Sequence, residues 1–344
     1  MKTKLSVAAM ALLLASCSSN DNDLLPENPV NATPIQVSQS VQGMVKTRAA
    51  VGVGSDVTAT VLVADGSSNN ADAADWANFS PVLANEVKEE NGQNKLKTRA
   101  TVSTASFKAG SNATVSLNPI LYYHTTTGTK SWLAAVAPAG TVSGTTVTIP
   151  QTDGEQDVML ADAAEAGSSN STSKPELTFK HLTTQLNFEM KVTAQNGGEW
   201  TDKTISLKKI SVRGAQVPAE VNVAPASGTA GVSKWTDAAV MNVAGISNVA
   251  LGADAVRVGN PLMIQASGQV VIDAVISVGG TDITFNNVTI KKQDDANLST
   301  VAGKSHLITL NVTEPLTPED ATKMTVTATV TDWVAGDAGH ADLN

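Results

Sequence analysis

The stretch QLNFEMKVTA, residues 185–194, decides the fold. Its residues alternate between apolar and polar: Leu186, Phe188, Met190 and Val192 against Asn187, Glu189, Lys191 and Thr193. Successive side chains of a β-strand point to opposite faces, so a spacing of two collects the apolar residues on one face. The stretch is therefore predicted to be a strand with one face buried.

The same period recurs along the chain in short segments separated by Gly, Asn and Pro turns. Examples are DVTATVLVAD from Asp56, GQVVIDAVISVGG from Gly268 and KSHLITLNVT from Lys304. No segment keeps a 3.6-residue period beyond a turn or two. Aromatic residues make up only 3% of the chain, so the core must be built from small branched side chains, which favour strands. The predicted fold class is all-β, with two transthyretin-like or immunoglobulin-like β-sandwich domains in tandem.

The N-terminus is predicted to be a lipoprotein signal peptide, residues 1–16. A basic MKTK precedes the apolar LSVAAMALLLA, and LASC ends at Cys17. The apolar run is short for a membrane span, so it is interpreted as a cleaved signal. Cys17 is the only cysteine and is predicted to carry the lipid, because a buried structural thiol does not belong at a cleavage point. This use of Cys17 excludes disulfides and cysteine–metal sites, and no metal site is predicted.

Composition divides the rest of the chain. Residues 17–34 are polar, acidic and broken by proline, and are predicted to be a flexible tether. The first strand is placed at 35–48, where Ile35, Val37, Val41 and Val45 have even spacing. An N-terminal sandwich at 49–168 contains a long loop-like insert at 66–94. The Ser-rich residues 169–175 are predicted to be a linker, followed by a C-terminal sandwich at 176–344.

Charge and motifs exclude several classes of function. The formal net charge is −9, and becomes −11 when Lys2 and Lys4 leave with the signal peptide, so nucleic acid is not a partner. The four histidines form no zinc-protease motif, and there is no nucleophile elbow, P-loop or dinucleotide fingerprint. We expect no enzyme activity and no cofactor. His181 is interpreted as a structural hydrogen bonder, and Asp294–Asp295 as a solvated turn.

Several quoted stretches together resemble a known family. They are the LLLASC lipobox, the first strand ending in KTRA, NPILYY with WLAAVAPAG, and LTFKHLTTQLNFEM. QDVMLAD, GKSHLITLNVT and the closing TATVTDWVAG complete the set. In combination they resemble the fimbrillin family of type V pilus subunits from Gram-negative anaerobes. The insert at 66–94 departs from that pattern, as does the second KTRA, which ends at Ala100.

The resemblance implies a route to a surface fimbria. The precursor would be an outer membrane lipoprotein, cut between Arg48 and Ala49 by an arginine-specific protease that releases the propeptide 17–48. The groove left behind would accept the C-terminal segment 324–344 of another fimbrial subunit. In that donor segment the alternating residues Met324, Val326, Ala328 and Val330 would replace the departed strand, with Trp333 at the rim. Other subunits, the protease, the membrane lipid and a host surface receptor are the expected partners.

Three alternatives stay open from the sequence. The protease could cut after Arg99 in place of Arg48. Such a cut would also discard the strand from Asp56, and we expect replacement of Arg99 to be nearly silent. Residues 324–333 are equally compatible with a last strand that belongs to their own sandwich. The chain could instead be a monomeric surface adhesin, or an anchor or tip lipoprotein that binds host glycan or protein.

Overall fold

A computed structural model describes residues 29–42, 51, 54–67, 70–110, 115–171, 174–193, 198–292, 295–314 and 324–332. Within these ranges the chain forms 23 strands and one short 3-10 helix, Trp76–Asn78, which confirms the all-β prediction. No helix in the described ranges is long and apolar enough to cross a bilayer.

The strands are numbered in chain order. Those up to His181 are β1 Ser38–Val41, β2 Asp56–Ser67, β3 Asn70–Ala74, β4 Glu86–Glu90, β5 Gln93–Thr98, β6 Val102–Lys108, β7 Ser116–Asn118, β8 Ser131–Ala137, β9 Thr141–Ser143, β10 Thr146–Thr148, β11 Met159–Gly167 and β12 Glu176–His181. Those after it are β13 Thr184–Thr193, β14 Ile205–Ala215, β15 Pro218–Asn222, β16 Gly231–Trp235, β17 Ala239–Asn242, β18 Val249–Ala250, β19 Val256–Ile264, β20 Val271–Val278, β21 Thr281–Thr289, β22 Lys304–Thr313 and β23 Met324–Asp332.

The first sheet is covered on both faces. Its order is β1-β12-β11-β8-β2-β6-β7, with β3 paired to β2. In its central strand β8 every residue is buried, and alternate residues enter two different cores. Leu133 and Ala135 join the core that also receives β1, whereas Trp132 and Val136 join the core on the other face. The apolar run SWLAAVA is typical of a strand with no solvent-facing side.

The second sheet joins the two halves of the chain. Its order is β16-β15-β10-β9, so β10, from before His181, pairs with β15, from after it. Val147 of β10 lies opposite Val221 of β15, and both are fully buried in the second core. The two halves of the chain therefore share a sheet, which the prediction of tandem sandwiches did not include.

The boundary predicted at 169–175 is also wrong. These residues connect β11 to β12, which pair antiparallel within the first sheet, with Met159 opposite His181. Composition could not show this, because a Ser-rich stretch that ends in proline can connect two paired strands as well as two domains. The chain leaves the first sheet only after His181, and a C-terminal sandwich cannot start at residue 176.

The remaining strands form a sandwich of two sheets around one core. Their orders are β19-β13-β22-β23 and β17-β14-β20-β21, with β18 paired to β14. The alternation predicted for β13 is confirmed, since Leu186, Phe188, Met190 and Val192 are all buried while Asn187, Glu189 and Lys191 are only partly covered. The four apolar residues pack in one core with Ile210, Ile272 and Leu310.

The insert at 66–94 is not a loop. It contains β3, the 3-10 helix and β4, and the paired strands β4 and β5 stand apart as a two-stranded hairpin. At the hairpin turn, Asn91 and Gly92 have φ values of 55° and 73°. Two positive φ values fit the tight hairpin turn for which Asn-Gly is favoured.

Candidate functional site

An N-terminal segment, residues 33–42, lies between two edges of the first sheet, and we call its path the groove. Its first part pairs with residues that flank β7, since the Ile35 amide donates to Leu121 O at 2.8 Å and the Tyr123 amide donates to Thr33 O at 2.9 Å. The Val115 amide donates to Val37 O at 3.0 Å. This part of the segment therefore satisfies peptide groups on both sides of β7.

The second part of the segment pairs with the other end of the sheet. β1 runs parallel to β12, with Ser38 opposite Glu176 and Val41 opposite Phe179, and the Gln42 amide donates to Phe179 O at 2.8 Å. Since β12 and β7 stand near opposite ends of the sheet order, the segment bridges the sheet's two ends.

The segment also supplies side chains to the core. Ile35, Val37 and Val41 are 3%, 0% and 6% exposed and pack in the core with Phe107 and Phe179. Burying three such side chains contributes roughly 5–9 kcal/mol before the cost of ordering the chain. The predicted strand is thus present, although its regular part is only Ser38–Val41 and residues 35–37 are bonded extended chain.

Gln39 is a groove residue that the sequence interpretation missed. It occupies the same alternate position as the three aliphatic residues and is 2% exposed, and its Nε2 donates to Lys108 O at 2.9 Å. Only the aliphatic residues of this strand were selected from its sequence, and the polar position between them was not included. The signal that identifies it is its register, two residues from both Val37 and Val41.

The remaining residues of the predicted site lie outside the described residues, or have only a described backbone. Cys17, Val45, Arg48, Ala49 and Trp333 belong to the first group. Asp294 of the predicted turn does too. Met324, Val326, Ala328 and Val330 lie in β23, which pairs with β22 of the same chain, with Val326 opposite Leu310. Within this single chain the C-terminal strand therefore completes its own sheet. This is the arrangement expected if residues 324–333 are the last strand of their own sandwich.

The second KTRA has a structural role. Arg99 forms an ion pair with Asp65, its Nη1 donates to Tyr122 O at 2.9 Å, and its side chain is only 14% exposed. The Ser131 hydroxyl donates to the other Asp65 carboxylate oxygen at 2.6 Å. An arginine bound in this way is not available to a protease that must take the side chain into its own acidic pocket. Since Arg99 joins three segments, we expect its replacement to lower stability, whereas its effect on processing stays a prediction from the sequence.

His181 lies in a buried pair. Its Nδ1 is 2.6 Å from Asp157 Oδ2, and both side chains are almost fully excluded from water. The described residues contain no group of three His, Cys, Asp or Glu side chains able to hold a metal ion. The geometry around His181 is that of a structural hydrogen bond linking β12 to the residues before β11.

The geometry defines an all-β protein in which an N-terminal segment fills a gap between two sheet edges. The chain belongs to the fimbrillin-like family, whose pattern it matches over residues 64–333. The match begins within β2, so it does not include the segment that fills the groove. No curated protein matches the sequence.

Three solved structures are similar to the chain. A candidate cell adhesion protein from Bacteroides uniformis ATCC 8492 is 13% identical, with a TM-score of 0.48, and the match covers 89% of this chain and 100% of that one. A fimbrial protein from Bacteroides vulgatus ATCC 8482 is 12% identical, with a TM-score of 0.44 and coverage of 87% and 99%. A fimbrial assembly protein from Parabacteroides distasonis ATCC 8503 is 10% identical, with a TM-score of 0.39 and coverage of 87% and 99%. The family assignment rests on the sequence match.

Proposed function

We propose that this chain is a non-enzymatic structural subunit of a surface fimbria that supports adhesion. It is exported as an outer membrane lipoprotein precursor with its lipid on Cys17. An arginine-specific protease cuts between Arg48 and Ala49, and the released subunit joins other fimbrial subunits by strand exchange. Membership of the fimbrillin-like family supports a fimbrial role, and the groove supports strand exchange.

One observation carries the proposal. Residues 33–42 are hydrogen-bonded on both sides and bury Ile35, Val37 and Val41, yet they lie N-terminal to Arg48. A cut at that position separates them from the rest of the chain. Their loss would expose apolar surface and unpaired peptide groups together, and an added extended strand satisfies both.

The donor in this proposal is the segment 324–344 of another subunit. Its alternating residues have the two-residue spacing of the groove positions. In the single chain β23 has β22 as its neighbour in the sheet order and stands at the edge. An edge strand can leave by breaking one ladder, whereas a central strand must break two.

The test compares the two KTRA sites. Arg48→Lys removes the proposed cut site, and Arg99→Lys is the matched control because it removes the other arginine but keeps a cation beside Asp65. We expect wild type and Arg99→Lys to yield shed protein that begins at Ala49 and forms ladders on a gel. Arg48→Lys should stay lipid-anchored and monomeric. Shed protein beginning at Ala100 would contradict the proposal.

Deletion of 324–344 tests the donor. A donor role predicts that the truncated chain folds, is exported and processed, and accepts a donor, but cannot extend a polymer. Circular dichroism and gel ladders of mixtures with wild type measure these properties. Loss of the folded protein would instead assign β23 to its own sheet.

A monomeric adhesin that binds host glycan is the second candidate. It is favoured by β23 pairing within its own chain and by a cavity of about 380 Å³ bordered by Trp76, Phe79, Thr145 and Asn222. Aromatic rings with nearby amide and hydroxyl groups suit a sugar. Glycan binding by a processed monomer that never polymerises, abolished by Phe79→Ala, would favour this candidate over the first.

A further inference from the structure

The hairpin of β4 and β5 also contacts the N-terminal segment. The Val30 amide donates to Asn94 O at 3.0 Å. The Asn31 side chain pairs with both peptide groups of Leu96, accepting from its N–H at 2.8 Å and donating to its O at 3.3 Å. The carboxamide of Asn31 therefore takes the place of a neighbouring strand along the outer edge of β5.

A turn at residues 29–32, in which the Ala32 amide donates to Pro29 O at 3.0 Å, separates these contacts from the groove. Two residues after Asn31, Thr33 is bonded to Tyr123, and Ile35 is bonded to Leu121. From Thr33 to Gln42 the chain is extended and about 30 Å long at roughly 3.3 Å per residue. The insert thus lengthens the path of the N-terminal segment beyond the first sheet.

Cleavage after Arg48 would vacate this extension together with the groove. The N–H and O of Leu96 and the O of Asn94 would then lose these partners. Exposed apolar side chains are found in β4 and just before it, since Val87 is 47% and Leu83 67% exposed. Both are two residues from Asn85, whose Nδ2 donates to Ile120 O at 2.9 Å next to the groove residue Leu121.

We propose that the outer edge of β5 is a second docking site for the segment 324–344 of a second copy of this chain. The inference rests on the proposed function. The length of the segment supports it, because 21 residues are more than the 13 positions from Val30 to Gln42 require. Once the N-terminal residues have left, the peptide groups of Asn94 and Leu96 are available to a chain that leaves the groove and repeats the turn at 29–32.

Amide hydrogen exchange of individual residues tests the inference. In the full-length precursor, Asn31→Ala removes the acceptor of the Leu96 N–H and should speed its exchange about tenfold or more. Val30→Ala is the matched control, because the Val30 hydrogen bond comes from its backbone and should leave Leu96 exchange unchanged.

The decisive measurement is made on fimbriae assembled from the processed chain. The Val115 and Tyr123 amides donate to the N-terminal segment and so report on filling of the groove, whereas the Leu96 amide reports on the hairpin. Slow exchange at all three supports the docking site. Fast exchange at Leu96 with slow exchange at the other two would overturn it and leave the proposed function intact. Fast exchange at Val115 and Tyr123 would contradict the proposed function itself.

Discussion

At the scale of single residues, the second of two identical KTRA motifs has a structural role. The second one places Arg99 against Asp65 and the carbonyl of Tyr122, at the junction of β5, β2 and the start of β8. A guanidinium has several donors in a fixed plane, which allows it to bind two acceptors at once. No short motif reveals this, because the partners are distant in sequence.

Arg99→Ala is expected to lower the free energy of unfolding by about 1–3 kcal/mol, because a carboxylate and a carbonyl lose their donor. Chemical denaturation measures the loss. Lys208→Ala is the control, since Lys208 pairs with Asp282 at an exposed site and should change stability by less than about 0.5 kcal/mol. Equal effects of the two substitutions would show that Arg99 has no special structural role.

Tyr123 shows how one residue serves both the groove and the core. Its amide donates to Thr33 O, and its hydroxyl donates to Ala166 O at 2.9 Å. Burial raises the pKa of Tyr123 above the ordinary 10.0, so its hydroxyl remains a donor to a higher pH than that of an exposed tyrosine. The sequence showed only ILYY, and the two buried tyrosines could not be assigned to the groove without the fold.

At the scale of elements, Asp273 connects three strands. Its Oδ1 accepts from Arg213 Nε of β14 at 2.8 Å and from the Asn287 amide of β21 at 2.9 Å. Burial alone would raise the pKa of Asp273, but these hydrogen bonds outweigh it and hold the pKa below the ordinary 3.8. A depressed pKa means that the charged form stabilises the fold above the unfolded pKa.

Asp273→Asn should therefore destabilise the protein by roughly 1–3 kcal/mol at neutral pH. The difference from wild type should shrink as the pH falls below 3.8 through the lower folded pKa, because wild-type Asp273 then becomes protonated. Urea denaturation over a pH series measures it. Asp282→Asn, at an exposed pair on the next strand, serves as the control. A difference that stays constant down to pH 2 would contradict the assignment.

Strands with strict alternation could be predicted from sequence, as β13 shows. The β4–β5 hairpin was missed because residues 86–98 are mostly polar, and a hairpin that stands apart has no buried face to impose a pattern. Asn91–Gly92 was the available signal, since this pair favours tight hairpin turns. The contact of Asn31 with Leu96 spans 65 residues and could not be inferred from either neighbourhood.

At the scale of the whole molecule, the second sheet determines how the halves behave together. The pairing of β10 with β15 joins segments on either side of β12, β13 and β14, and no local pattern reveals such a partner. Composition instead suggested two tandem units with a linker. Sequence reasoning found the strands but not which ones share a sheet, because register depends on the packed core.

Val221→Ala is expected to lower stability by roughly 1–3 kcal/mol, since Val221 is fully buried opposite Val147. Unfolding should remain a single transition in which β8 and β20 lose exchange protection together, because the second core spans both halves. Val240→Ala, at a side chain that is 53% exposed, should have little effect. Separate transitions for β8 and β20 would show that the halves are independent.

The shared second sheet also sets an order in time. A chain that emerges N-terminus first, from a ribosome or from an export channel, presents β9 and β10 long before β15 and β16. Until Trp235 has emerged, β15 and β16 are missing from that sheet. The core around Leu62, Trp132 and Val147 then lacks the side chains that these two strands contribute. By then β13 and β14 have also emerged, whereas their own partners β17 to β20 and β22 have not. The N-terminal half is therefore complete only after the first two strands of the C-terminal sandwich have emerged and wait for their partners.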